Sequence, residues 1–145
     1  MDMGLESASA PANPAQRKRI LVVEDERVIR SALATLLTDQ GYEVLSAADG
    51  SEAMTMAQSQ LPDLILLDLG LPSDPFSGGN FDGFGVMQWL QRRITEKQIP
   101  VIVLTARQDK TNRQRAFDLG ASVFLTKPFV PEELFKAIRI VLGED

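Results

Sequence analysis

Two adjacent acids, Glu24 and Asp25, follow the apolar run Ile20-Leu21-Val22-Val23, and a third, Asp68, follows Leu64-Ile65-Leu66-Leu67. The hydroxyl of Thr105 follows Val101-Ile102-Val103-Leu104, and the amine of Lys127 follows Val123-Phe124-Leu125-Thr126. Every one of these groups has a use in phosphoryl chemistry. Carboxylates brought together repel by about 4 kcal/mol per pair at 4 Å and intermediate dielectric. A hard divalent cation such as Mg2+ offsets that repulsion, binding through one or two carboxylates and taking its other ligands from water and phosphoryl oxygens. A carboxylate held beside such an ion is able to attack phosphorus and form an acyl phosphate. Asp68 is the expected nucleophile because its run is apolar on both faces, as in a strand at the centre of a covered sheet. The transferring group spreads charge over three equatorial oxygens. The cation would take one of them, Lys127 another, and Thr105 with nearby backbone amides the third.

These groups converge only if the four runs are parallel strands of one sheet, whose carboxyl ends open on the crevice where open α/β sheets bind ligands. The intervening segments supply the crossovers. Val28, Ile29, Ala32, Leu33, Leu36 and Leu37 recur at helical spacing, with Gly41 as a C-terminal cap. Residues 43–47 make a half-polar strand, and Ala53, Met54 and Ala57 mark a helix that ends before Pro62. Residues 63–68 form the central strand. A helix over 84–95 places Met87, Leu90 and Ile94 inward, with Trp89 packing on its face. A strand follows Pro100, a short helix covers 110–119 with Gly120 as its stop, and a last helix opens at Pro131 and runs to Leu142. Glu132 and Glu133 sit in its first turn, where the helix dipole favours acids. Five strands alternating with five helices predict a wound parallel sheet. The polar second strand belongs at an edge and the long apolar runs inside, which fits the order 2-1-3-4-5.

Composition removes whole classes of function. The chain of 145 residues is sized for one domain, so a second catalytic or DNA-reading domain does not fit. It has no cysteine and no histidine, which excludes disulfides, thiolate nucleophiles, zinc sites of the usual kind and imidazole acid–base catalysis. A net charge of -5 argues against direct nucleic acid binding, which needs clustered Lys and Arg. No apolar run approaches a membrane span, and no signal peptide opens the chain, so a cytoplasmic protein is expected. Residues 1–17, rich in Ala, Pro and Ser, read as a disordered leader.

From Lys18 to Leu142 the chain resembles the receiver domain of two-component response regulators. The residues that carry the resemblance are Val23-Glu24-Asp25-Glu26, Leu67-Asp68-Leu69-Gly70-Leu71-Pro72, Leu104-Thr105-Ala106 and Phe124-Leu125-Thr126-Lys127-Pro128-Phe129. It implies a flavodoxin-like (βα)5 fold over 18–145, and the strand order above rests partly on it. It implies that Asp68 accepts phosphate from the phosphohistidine of a sensor histidine kinase or histidine phosphotransfer protein. Asp25, Asp68 and the carbonyl of Gly70 would bind Mg2+ or Mn2+, with Glu24 acting through water. Thr105 would swing toward the phosphoryl group and Phe124 turn inward, reshaping the surface of the fourth helix, fifth strand and fifth helix for a downstream protein. Phe124 as permanent core is an equal alternative. The Lys127–Pro128 peptide would be cis.

The chain departs from the family in three places. Nine residues, 73–81, separate Pro72 from Asp82-Gly83, an insertion beside the phosphoacceptor whose Phe76 and Phe81 could form a lid or contact a partner. Ser122 and Val123 stand where receivers joined to winged-helix domains carry an acidic pair, which removes the charges of their dimer interface and leaves a homodimer open. Gly70 leaves the approach of water to Asp68 unscreened, so no unusually long phosphoryl lifetime is expected. Arg92, Arg93, Arg113 and Arg115 read as solvated faces, with Arg113 and Arg115 as alternative docking residues. The expected function is a self-phosphorylating acceptor without turnover of an external substrate, standing alone or as the receiver piece of a longer regulator with an output domain elsewhere. The rival of another class is a Mg2+-dependent aspartyl-phosphate hydrolase, which commonly places a general acid where Gly70 stands. A third reading is a degenerate receiver that binds partners without phosphorylation.

Overall fold

The computed structural model describes residues 17–71, 82–95, 97–106 and 110–144. The expected leader, apart from Arg17, and the expected 73–81 insertion lie outside them. Among the described residues the chain forms β1 (Arg19–Val23), α1 (Arg27–Asp39), β2 (Glu43–Ala47), α2 (Gly50–Gln60), β3 (Leu64–Leu67), α3 (Gly83–Arg93), β4 (Val101–Thr105), α4 (Lys110–Asp118), β5 (Ala121–Thr126) and α5 (Pro131–Leu142). The strands form one parallel sheet in the order β2-β1-β3-β4-β5. This is the flavodoxin-like arrangement expected from the sequence. No helix among the described residues is long and apolar enough to cross a membrane.

Because side chains alternate along a strand, each buried strand feeds two cores. Leu21, Val23, Ile65, Leu67, Val101 and Val103 pack on one face with Ala53 and Ala57 of α2, Met87 and Leu90 of α3 and Ala116 of α4. Ile20, Val22, Leu64, Leu66, Ile102 and Leu104 pack on the other with Leu33 and Leu37 of α1 and Leu134 and Ile138 of α5. The half-polar β2 is the edge beside β1, as its pattern requires.

Helix ends follow local chemistry. Asp49 caps α2 by accepting from the Glu52 amide at 2.8 Å, while Glu52 reaches back to the Ala48 amide at 2.7 Å. Asp82 caps α3 by accepting from the Gly85 amide at 2.9 Å, which starts that helix at Gly83, one residue earlier than its apolar spacing suggests. The same helix ends at Arg93, and Ile94 is buried just past its end. The third strand is shorter than expected, since Asp63 and Asp68 lie outside the ladder at either end. Gly41 has φ 95° and follows the capping residue Gln40 of α1. Val28, expected on the apolar face of α1, is 81% exposed. It stands five residues before the buried Leu33, about 140° around the helix from that face, whereas Ile29 in the same turn packs on the core.

Candidate functional site

Strand register sets the heights of the functional groups. Val23 of β1 and Leu67 of β3 are partners, so Glu24 and Asp68 leave the sheet side by side. Leu67 pairs with Val103 of β4, which places Thr105 one residue further out than Asp68. Thr105 pairs with Thr126 of β5, and the Lys127 amide donates to the Thr105 carbonyl at 2.9 Å. Lys127 starts two strands away from β3 and three from β1, roughly 10 and 14 Å at the usual strand spacing. A long side chain is what closes that gap. Its Nζ lies 2.6 Å from Glu24 Oε1 and 3.2 Å from Asp68 Oδ2.

The other carboxylate contacts are local. Asp68 Oδ1 accepts from the Gly70 amide at 2.9 Å, and Glu24 Oε2 accepts from the Glu26 amide at 3.1 Å. One oxygen each from Glu24, Asp25 and Asp68 lie within 4.8 Å of one another. Glu24 and Asp68 are buried, while Asp25 is exposed. Burial pushes the Glu24 carboxyl above its ordinary pKa, and the Asp68 charge adds to the rise, while the hydrogen bonds from Lys127 and the Glu26 amide counter only part of it. Burial works to lower the pKa of Lys127, but its hydrogen bond to Glu24 and the charges of Asp68 and Glu24 outweigh that and hold the ammonium above its ordinary value.

Three carboxylates stand against one ammonium, and the donors are all oxygens in a chain without imidazole or thiolate. That set suits a hard divalent cation, Mg2+ or Mn2+. The structure therefore brings together the sequence-expected Glu24, Asp25, Asp68 and Lys127. Gly70 is exposed next to them, with its amide turned onto Asp68.

Thr105 and Phe124 belong to the other side of the site. Val101, Val103 and Thr105 share one face of β4, and Phe124, the register partner of Val103, lies in the same core as Val101 and Val103. Thr105 is buried, and Phe124 points inward at 9% exposure. The Phe124 ring packs against Phe117 of α4 with centroids 6.4 Å apart, and the Arg113 guanidinium lies 5.7 Å from the Phe117 centroid and 6.0 Å from that of Phe124. Arg115 lies 4.2 Å over the ring of Phe84 in α3. Both arginines are exposed, as expected of solvated faces, and each also lies over aromatic rings, Arg113 over Phe117 and Phe124 and Arg115 over Phe84. Trp89 packs, half-buried, against the core as expected. The Lys127–Pro128 peptide is cis.

Sequence reasoning missed two residues at the site. A Cβ on Gly83 would stand 2.6 Å from Leu69 Cα and 2.9 Å from the Asp68 carbonyl oxygen, so only glycine lets α3 start against the Asp68–Leu69 turn. The Arg30 guanidinium donates to the carbonyls of Glu24 at 2.8 Å and Asp25 at 3.3 Å. A signal for Arg30 was present, because a cation near the start of a helix opposes the helix dipole.

Residues 20–139 match the family described as the response regulator receiver domain. The chain is 42% identical over 127 residues to a probable transcriptional regulator, ycf27, of Porphyridium aerugineum, covering 88% of this chain and 49% of that protein. It is 39% identical over 125 residues to the phosphate regulon transcriptional regulatory protein PhoB of Escherichia coli, covering 86% of this chain and 52% of that protein. The chain spans about half the length of these curated relatives. Among solved structures, the chemotaxis protein CheY4 of Vibrio cholerae superposes with a TM-score of 0.76 at 33% identity, covering 86% of this chain and 98% of that one. A response regulator of Chloroflexus aurantiacus described as putative gives a TM-score of 0.78 at 30% identity, covering 89% and 100%.

Proposed function

The chain belongs to the response regulator receiver family, and we propose that it is a Mg2+-dependent phosphoacceptor in which Asp68 takes a phosphoryl group from a phosphohistidine of a sensor kinase or phosphotransfer protein. The observation that carries the reading is the return of Lys127 across β4 to touch both Glu24 and Asp68, beside Asp25. In the reaction an Asp68 carboxylate oxygen forms a bond to phosphorus while the phosphorus–nitrogen bond of the donor breaks, and the imidazole leaves with the electron pair. Lys127 holds the Asp68 carboxylate now and would move to a phosphoryl oxygen as charge transfers. The Gly70 amide fixes the other Asp68 oxygen. Asp25, Asp68 and the Gly70 carbonyl would hold Mg2+ or Mn2+, with Glu24 acting through water. The ion supplies charge neutralisation at the carboxylates and a Lewis acid for the phosphoryl oxygens.

Thr105 supplies a hydroxyl beside this group, and its face is shared with Phe124, so its movement is felt at the α4 and β5 surface. That surface is the proposed contact for a downstream protein. The relatives named as transcriptional regulators are about twice as long as this chain, and we assign the output to a downstream protein or to an output domain joined to the receiver. We place the protein in the cytoplasm, where the kinase's phosphohistidine is presented. Incubation with acetyl phosphate and Mg2+ tests the reading by intact mass. One phosphoryl adduct, absent in Asp68→Ala and absent with chelator, is expected. An adduct that survives the Asp68 change overturns the assignment, and sustained turnover of phosphate monoesters overturns the receiver chemistry.

A further inference from the structure

Arg30 is the fourth residue of α1, close to the positive end of the helix dipole, where a cation is disfavoured. The first turn holds no acid to offset it, and Glu26 at the N-cap makes no side-chain capping hydrogen bond. Something else must hold the guanidinium there. Helical side chains tilt toward the N-terminus, so residue 30 reaches back over the turn that joins β1 to α1. Its Nη1 donates to the carbonyl of Glu24 at 2.8 Å and to that of Asp25 at 3.3 Å. Its own amide closes the first bond of the helix with the Glu26 carbonyl at 2.9 Å. Arg30 therefore grips the chain at residues 24, 25 and 26, the segment that carries two of the three clustered carboxylates.

Building on the proposed metal site, we infer that Arg30 is a positioning residue for the acidic pair. It fixes the peptide units of Glu24 and Asp25 so that their carboxylates face Asp68, and cation affinity depends on it. Residues that orient metal ligands typically contribute 10–100-fold to affinity. The sign of the effect separates this role from simple electrostatics. A guanidinium beside three carboxylates repels a divalent cation, so if charge were its only contribution, removing it would tighten binding. Positioning demands the opposite. A role confined to packing would lower the melting temperature and leave cation affinity alone.

The test is a Mn2+ titration of the whole chain, reading free Mn2+ by electron paramagnetic resonance, on the wild type, Arg30→Met and Arg30→Lys, with thermal melts of each. Arg30→Met is expected to weaken Mn2+ binding about tenfold while keeping a cooperative melt. Arg30→Lys keeps the charge but loses the flat, rigid donor set, and is expected to fall between the two. Unchanged or tighter binding by Arg30→Met overturns the inference. If Arg30→Met does not fold, Arg30→Lys decides, since wild-type affinity there overturns the inference and a loss of several fold supports it. A wild type that binds no Mn2+ overturns the proposed function and this inference with it. That result is distinct from a wild type that binds and variants that match it.

Discussion

Gly83 and Gly70 flank the Asp68–Leu69 turn, and the structure gives them different sensitivities to one added methyl group. At Gly83 the new carbon would meet Leu69 Cα at 2.6 Å and the Asp68 carbonyl oxygen at 2.9 Å. Both are backbone atoms that cannot rotate away, and ordinary contact begins near 3.4 Å, so α3 or the Asp68–Leu69 turn must move by about 0.8 Å. Overpacking of this kind costs about 1–3 kcal/mol. Alanine returns at most about 1 kcal/mol through its helix propensity. The net expectation for Gly83→Ala is a loss of about 1–2 kcal/mol, or roughly 3–8 °C in melting temperature. At Gly70 the new carbon would lie 3.4 Å from Asp68 Oδ1 and 3.7 Å from Oδ2, within ordinary contact, so Gly70→Ala should stay within about 0.5 kcal/mol of the wild type. A displacement near 1 Å at a reacting group lowers rates by up to about 100-fold. Phosphorylation of Gly83→Ala by acetyl phosphate should therefore slow by one to two orders of magnitude, measured on protein still folded by circular dichroism. If Gly83→Ala melts and reacts like the wild type, α3 does not press on the turn.

Removing Lys127 leaves Glu24, only 2% exposed, facing Asp68 without a counter-cation. Lys127→Met should lose about 3 kcal/mol in urea denaturation with chelator present, the lower end for breaking a buried pair because Lys127 and Asp68 keep some solvent. Mg2+ should restore part of the loss; a variant as stable as the wild type in chelator would show that the pair is not buried as described. At the opposite end of the sheet, burial works against ionisation of Asp63, but hydrogen bonds from Lys97 and the Arg19 amide outweigh it and leave its pKa below the ordinary 3.8. A lowered folded pKa gives stability that is present above pH 3.8 and is lost as pH falls through the folded value. Lys97 is 37% exposed, so solvent screening limits the pair to about 1 kcal/mol or less. Lys97→Met should move the midpoint of acid unfolding to higher pH, and an unmoved midpoint would show the pair contributes nothing.

The sequence by itself determined the parallel sheet, its alternating helices and the polar residue at the end of each inner strand. Those features are local: unbroken apolar runs along β1, β3 and β4, apolar spacing along the helices, and stop signals such as Gly41 and Gly120. The order of Glu24-Asp25, Asp68, Thr105 and Lys127 was equally legible, because each stands one step beyond or at the end of its apolar run. Tertiary structure decided which groups meet. The contacts of Lys127 with Glu24 and Asp68 span 103 and 59 residues of chain, and no spacing rule reaches so far. Only packing shows that Arg113 and Arg115 lie over rings and that Arg30 turns back onto the carbonyls of the acidic pair. Sequence pattern assigns a residue to a face or an end, whereas the approach of two backbones, as at Gly83 and Leu69, depends on every side chain between the elements at once.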